Sequence, residues 1–361
     1  MYKRQASNAA VQVLKEGEVQ GSDVAAHSAG VLDIRTNILA DTDALYLTAI
    51  DKYGHELWRW TFPVNKLNQQ TEQLSPLSSR PAYTETENEL TVKANKRTFI
   101  FSKKDGQLKG VSVDNRKISF ANGPRFIGAR RADRSLDQFY NHDDEKAKEK
   151  DRTYSEFPDA AVFTKLDVKE DGGNLVVTAN YKLGNLDKAQ WTINPSGDLA
   201  LDYTYNFSGV VDLMGIRFDY PEDQVISKRW LGAGPYRVWQ NRIHGTQYDV
   251  WENDYNDPIP GETFTYPEFK GYFGDVSWMN IQTKEGTISL TNETPDAYIG
   301  VYQPRDGRDR LLYTLPESGI SVLNVIPPVR NKVNSTDLCG PSSQPKWVNG
   351  PQTGRVIFRF M

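Results

Sequence analysis

From residue 199 to residue 207 every second side chain is large and apolar: Leu199, Leu201, Tyr203, Tyr205 and Phe207, with Ala200, Asp202, Thr204 and Asn206 between them. Side chains two apart share one face of a strand but not of a helix, so the pattern predicts a strand whose five large residues face a core or a second sheet. Similar short segments follow one another at 90–94, 98–102, 108–113, 117–120, 166–169, 175–181, 190–194, 214–220, 319–327 and 356–360, with others near Ile299 and at 312–314. Turn residues separate them, as at Asp105-Gly106, Gly172-Gly173, 195–198 and Glu285-Gly286, and such pairs between alternating segments mark hairpins. After residue 85 no apolar period of 3.6 residues lasts beyond two turns. The stretch 89–361 is therefore expected to be one long all-β domain, a large antiparallel two-sheet sandwich or a closed barrel.

Ahead of it, residues 9–64 carry alternating segments around Val11 and Val13, around Val31, Ile34 and Ile38, around Leu45, Leu47 and Ile50, and around Leu57, Trp58, Trp60 and Phe62. Four strands in this length make about half an immunoglobulin-like sandwich, which cannot bury its own inner face. Either it packs on a neighbour or further strands precede it. The opening Met1-Tyr2-Lys3-Arg4-Gln5 leads directly into what reads as the middle of a domain and resembles a false start common in translated metagenomic assemblies, so N-terminal truncation is expected. Residues 65–88, rich in Gln, Ser, Thr, Pro and Glu, read as an exposed connector. The domain expectation is thus 1–64, a partial immunoglobulin-like domain; 65–88, a linker; and 89–361, the large sandwich. Residues 125–160 are the least strand-like stretch, and the charge run 143–151 reads as a solvated loop or one short exposed helix.

Composition narrows the function. Hydrophobic residues are 38% and charged ones 25%, enough for a sizeable core beneath a solvated surface. The net charge of −4 is spread along the chain, with no basic stripe for nucleic acid and no polybasic segment for anionic lipid, so neither partner is expected. The single cysteine, Cys339, leaves no intrachain disulfide, and four His with one Cys are too few for a structural zinc site; no metal and no cofactor are expected. Cys339 reads as a small packed residue. No run reaches the roughly 20 apolar residues of a membrane span, and no secretory signal core is present at the start.

The stretch 230–279 stands apart. It holds Trp230, Trp239, Trp251 and Trp278 among Gly, Pro, Asn and Asp, which reads as strand ends joined by aromatic-rich loops. Its first part, with Trp230-Leu231-Gly232, Gly234-Pro235 and Arg242, resembles a motif of the C-terminal domain of β-galactosidases of glycoside hydrolase family 2, Trp-Tyr/Phe-Gly-x-Gly-Pro-x-Glu-x-Tyr-x-Asp-Arg. A second motif of that family, Pro-Gln-Glu-Asn-Gly-x-Arg-x-Asp-Val-Arg-Trp-Leu, is similar at Pro267, Gly271, Asp275, Val276 and Trp278. More weakly, 99–113 resembles the hairpin that opens the family's last domain, and 45–64 the closing strands of its immunoglobulin-like domain. The resemblance implies a galactose mutarotase-like β-supersandwich over 89–361. It also has departures. Arg237 and Asn241 replace the Glu and Asp of the first motif, and Glu268-Phe269-Lys270 and Phe273 replace Gln-Glu-Asn and Arg in the second. Glycines, prolines and core tryptophans persist while polar positions change, so the fold is carried over and galactose specificity is not.

In that family the catalytic acid and nucleophile sit in a barrel domain, and retaining hydrolysis needs the two carboxyls about 5 Å apart. The resemblance therefore implies a part that is inactive alone, works with an upstream barrel of the same polypeptide, and closes one edge of a cleft that binds an oligo- or polysaccharide. Trp239, Arg242, His244, Trp251, Tyr266 and Glu268, all in loops, are the candidate sugar contacts, with Trp347 near the last Gly-rich loop as a seventh. Each has a plainer role: Trp239 and Trp251 packing their loops, Arg242 fixing a loop by pairing with a carboxylate. Trp230 and Trp278 read as core. His244 with Glu268 could serve as a base and its partner in mutarotation or elimination. Catalytic residues proper are expected to be absent. The competing functions are a free-standing carbohydrate-binding sandwich and a sugar mutarotase or lyase. Related enzymes are cytoplasmic, periplasmic or secreted, so the compartment stays open, with a bacterial periplasmic or secreted location favoured over a cytoplasmic one.

Overall fold

The computed structural model describes residues 2–4, 12–21, 23–34, 42, 44–64, 79–131, 154–257, 259, 269–304, 315–329 and 340–361. Two compact units result, Met1–Thr71 and Glu72–Met361.

The first unit contains β1 (Tyr2–Arg4), β2 (Gln12–Lys15), β3 (Ala44–Ile50) and β4 (Glu56–Pro63), in the antiparallel order β2-β1-β3-β4. β1 lies inside the opening pentapeptide, so those residues pair with β2 and β3 rather than forming a tail. Residues 31–34 are not a strand, in contrast to the sequence expectation, and Ile38 lies outside the described residues. The β3–β4 turn is closed by Asp51, whose Oδ1 accepts from the backbone N–H groups of Tyr53 and His55, both at 2.8 Å. Opposed pairs Leu45–Phe62, Leu47–Trp60 and Ala49–Trp58 share one face. On that face Trp58, Trp60 and Phe62 stay 43–48% exposed.

The second unit begins with β5 (Ala82–Glu85), β6 (Glu89–Ala94), β7 (Arg97–Ser102), β8 (Leu108–Val113), β9 (Arg116–Ile118), β10 (Ala121–Arg131) and β11 (Tyr154–Glu156). There follow β12 (Val162–Asp171), β13 (Asn174–Lys182), β14 (Leu186–Ile193), β15 (Leu199–Val211) and β16 (Leu213–Asp219). The last are β17 (Val225–Gly234), β18 (Gln247–Asp254), β19 (Trp278–Thr283), β20 (Gly286–Asn292), β21 (Tyr298–Gly300), β22 (Ile320–Val325) and β23 (Lys346–Phe360). They form a 10-stranded sheet, β21-β22-β16-β10-β8-β7-β6-β5 with β11 on β10 and β9 on β8, and a 9-stranded sheet, β12-β13-β14-β15-β23-β20-β19-β17-β18. The strand pairings of both are antiparallel. Among the described residues no α-helix occurs. The unit is an antiparallel supersandwich.

One core cluster joins the sheets. Phe120 stands 4.6 Å from Phe218 of the larger sheet and 4.9 and 5.3 Å from Phe358 and Phe360 of the smaller one, ring centre to ring centre. Phe101 meets Trp191 across the same gap, and Phe126 meets Tyr205. Such pairs are worth about 0.5–1.5 kcal/mol each beyond the area they bury. The alternation of 199–207 has its explanation here: all five large residues are buried in this core, while Asp202, Thr204 and Asn206 point the other way.

Three expectations are corrected. Ala82–Glu85, assigned to the connector by composition, pairs with β6 as an outer strand. Residues 125–131, the start of the stretch read as least strand-like, belong to the 11-residue strand Ala121–Arg131, with Phe126, Ile127 and Ala129 buried. The final strand starts at Lys346, well before Val356, because it pairs with β15 along its length from Leu199–Phe358 to Val211–Lys346. The charge run 143–151, the segment 312–314 and Cys339 lie outside the described residues.

Candidate functional site

β17 runs along β18, pairing Trp230 with Trp251 and Gly234 with Gln247, and ends at a cis Gly234–Pro235 bond. Gly234 has to be glycine. A Cβ there would enter the indole of Trp251, which packs half-buried over the core and donates its Nε1–H to Gln247 O at 3.2 Å.

Beyond Pro235 the loop 236–246 is fixed on three sides. Val238 and Tyr272 exchange backbone hydrogen bonds of 2.7 and 2.8 Å. Gln240 donates from Nε2 to the carbonyls of Ser342 and Gln344 at 2.9 and 2.7 Å. Asn241 bonds Val329 in both directions, Nδ2–H to O and N–H to Oδ1, at 2.8 Å each. Trp239 and Arg242 close a tight turn between them, with Arg242 N–H on Trp239 O at 2.8 Å. This clamping sets which side chains turn in and which turn out. Val238 and Trp239 go in, Trp239 lying edge-on to Tyr272 in a second core cluster at 0% exposure. Arg242, Ile243 and His244 go out.

On the outer side an aromatic and basic rim forms. Tyr236 and Phe269 meet edge to face at 4.8 Å. The Arg242 guanidinium lies 5.1 Å from the centre of the Phe269 ring. Tyr236 donates its hydroxyl to the His244 carbonyl at 3.0 Å, and burial raises its pKa, against the opposing charge of Arg242. The rim so built offers ring faces, a guanidinium with free edges and an exposed imidazole. Those are groups that hold a sugar by its C–H face and its hydroxyls.

Of the residues singled out in the sequence, Arg242 and His244 are thus brought to one rim, linked through Tyr236 and Phe269. Arg242 is corrected on one point: among the described residues it packs on a ring rather than pairing with a carboxylate. Trp239 presents no exposed face. Trp251, expected in a loop, is corrected: it lies on β18, partly buried against the core at the base of the loop. Trp347 is 71% exposed on β23 opposite Val210, a short way past the Ser342 and Gln344 carbonyls that hold Gln240. Tyr266 and Glu268 lie outside the described residues, and with them the His244–Glu268 pair. Trp230 and Trp278 are core, at 1% and 0% exposure. Tyr236 and Phe269 escaped sequence reading as contacts, although both had a signal: Tyr236 follows Gly-Pro directly, and Phe269 stands in place of an acid in the second motif. Their meeting depends on the Val238–Tyr272 bridge, which no local pattern shows.

A second concavity, of about 380 Å³, opens on the 9-stranded sheet between Lys188, Asp202, Thr204, Glu293, Thr353 and Arg355. Arg355 is held there by Asp202 at 2.6 Å and Glu293 at 3.0 Å. Among the described residues no cluster of three or more His, Cys, Asp or Glu is placed to hold a metal ion.

Residues 93–327 match the model of a family described as beta galactosidase small chain. No curated protein matches the sequence. Among solved structures, galactose 1-epimerase from Lactobacillus acidophilus NCFM is similar over 79% of this chain and 99% of that chain, at 10% identity and a TM-score of 0.41. A GalM/aldose epimerase homologue from C. elegans is similar over 78% and 99%, at 8% identity and 0.37. A galactose mutarotase-like protein from Lactobacillus casei ATCC 334 is similar over 78% and 100%, at 12% identity and 0.34.

Proposed function

The chain belongs to the beta galactosidase small chain family, and from that premise we propose that it is the non-catalytic C-terminal part of a β-galactosidase-like glycoside hydrolase of family 2. In this reading an upstream barrel supplies the acid and the nucleophile. The rim of Tyr236, Arg242, His244 and Phe269 closes one edge of the cleft and touches the carbohydrate. The observation that carries the reading is the rim itself. Tyr236, Arg242 and His244 project from the backbone-clamped loop in which the first family motif ends, and Phe269, from the second motif, meets Tyr236 and Arg242 there. Among its described residues the rim carries no carboxylate, and glycoside cleavage takes two carboxyls flanking the bond, so in this reading those residues orient a sugar and leave protonation and attack to the barrel.

The test uses the purified chain with an aryl β-galactoside and with galactosyl oligosaccharides. Release of the aryl group at enzyme-like rates would sink the proposal. Oligosaccharide binding is expected at about millimolar dissociation constants, weakened about 3- to 10-fold by Phe269→Ala, the loss of one ring contact. The same affinity in wild type and Phe269→Ala would remove the rim from the reading.

The concavity around Arg355 favours a second reading, a carbohydrate-binding sandwich that acts on its own. Binding that survives Phe269→Ala and disappears in Arg355→Ala would select it.

A further inference from the structure

One residue past Tyr236 the loop turns a second arginine inward. Arg237 and Lys228 of β17 are each 1% exposed. Arg237 donates from Nη2 to Asn256 Oδ1 at 2.7 Å, and its guanidinium lies 5.0 Å from the Tyr302 ring centre and 5.9 Å from that of Phe273. Its Nε–H and Nη1–H groups have no acceptor, and neither does the hydroxyl of Tyr302, which is 2% exposed. Lys228 donates from Nζ to the carbonyls of Asp254 and Asp257 at 2.5 and 3.3 Å and stands 5.3 Å from the same Tyr302 ring. Among the described residues no carboxylate pairs with either base. Glu222 and Asp257 are the acids whose charges reach Arg237, and Asp257 and Asp254 those that reach Lys228; the two oxygens of Glu222 accept from the Tyr255 hydroxyl and the Gln303 N–H, both at 2.9 Å.

Two basic side chains buried side by side, with three donor groups left over, are costly for a fold to keep. Water could accept from the donors, yet it would add no negative charge in contact with the two bases. A negatively charged oxygen does both. Arginine is suited to this role because its guanidinium stays charged and offers donors in several in-plane directions.

We propose that Arg237, Lys228 and Tyr302 form a binding site for an oxyanion, a carboxylate or phosphate group that accepts hydrogen bonds from Arg237 and the Tyr302 hydroxyl and is balanced by the charge of Lys228. The site is separate from the rim and does not depend on the rim binding sugar. Its ligand is a free small ion or the carboxylate of an acidic sugar. Burial, and then the neighbouring Arg237, hold the Lys228 ammonium down to about 6, so near neutral pH an incoming anion also favours proton uptake by this lysine.

The experiment follows thermal unfolding of the full chain against sodium acetate, sodium phosphate and sodium glucuronate, with sodium chloride at matched ionic strength and glucose as controls. A saturable rise of about 5 °C at a hundredfold excess over the dissociation constant is expected for the oxyanions and not for the controls. Glucuronate acting at lower concentration than acetate assigns the site to an acidic sugar, and the reverse order assigns it to a free ion. Arg237→Met should abolish the rise. Tyr302→Phe, which removes one hydroxyl and keeps the ring, should shift half-saturation about tenfold upward. The proposal is overturned by the absence of a saturable effect in wild type, or by one of equal size in Arg237→Met. Should Arg237→Met not fold, unchanged half-saturation in Tyr302→Phe overturns it alone.

Discussion

Arg237 and Arg242 stand on one loop, and each guanidinium lies about the same distance from an aromatic ring, 5.0 Å from Tyr302 and 5.1 Å from Phe269. There the likeness ends. Arg242 is exposed, so its guanidinium donors are open to solvent. Arg237 is enclosed, and two of its donor nitrogens have nothing to bond. The same contact is therefore a modest surface attraction in one case and a small offset against desolvation in the other. What separates them is the backbone shelf of Val238 and Tyr272, which turns one side chain out and the other in. A residue type at a motif position predicts little until its side of that shelf is known.

The largest way to break the comparison is to disturb the shelf. A Cβ at Gly271 would run into the carbonyl oxygen of Val238, a backbone atom that cannot swing aside. Gly271→Ala should destabilise the second unit by about 3 kcal/mol, read as a lower midpoint in urea at unchanged slope. A stability within experimental error of wild type would show that the shelf is not rigid.

A smaller effect sharpens the inner half. The Lys228 ammonium titrates near 6 in the folded chain and at its ordinary value of 10.5 when unfolded. Between those values the unfolded chain holds the proton and the folded chain does not, so stability rises with pH through this window and the destabilising effect of burial is full below about pH 6. Up to about 1.4 kcal/mol per pH unit is available from one such group. Urea titrations from pH 6.5 to 9 should show the rise in wild type and a flatter curve in Lys228→Met; equal slopes would mean that the lysine keeps its charge in the fold.

The smallest effect belongs to the outer half. Arg242→Ala should change folding stability by no more than about 0.5 kcal/mol, as for other solvated side chains. A loss several times larger would mean that Arg242 supports the loop and is not simply displayed by it.

Much of the sandwich is legible in the sequence wherever one strand face is dry and the other wet. The alternation of 199–207 and the Asp105-Gly106 turn both appear as read. β10 escaped because its wet positions hold arginines and because Gly123, Pro124 and Gly128 weaken the local pattern. The strand exists through pairing with β8, β11 and β16, and Arg125 is held by Asp219 across the last of these. The first half of β23, polar and interrupted by Gly350 and Pro351, is likewise a strand because β15 is already beside it. For the rim, sequence pointed to the right loop but ranked its members by size. Trp239, the most conspicuous residue, is interior, while Tyr236 and Phe269 acquire their role from a contact that spans two separate loops.

The position of β23 bears on how the protein is made. Between β15 and β20 it is the central strand of its sheet, yet it is the last of the described strands to leave a ribosome. Until residues 346–360 emerge, β12 to β15 and β17 to β20 are two separate blocks, and each ends in an open hydrogen-bonding edge. The smaller sheet can be completed only after synthesis has passed them, and during that interval the nascent chain exposes two edges able to pair with other chains.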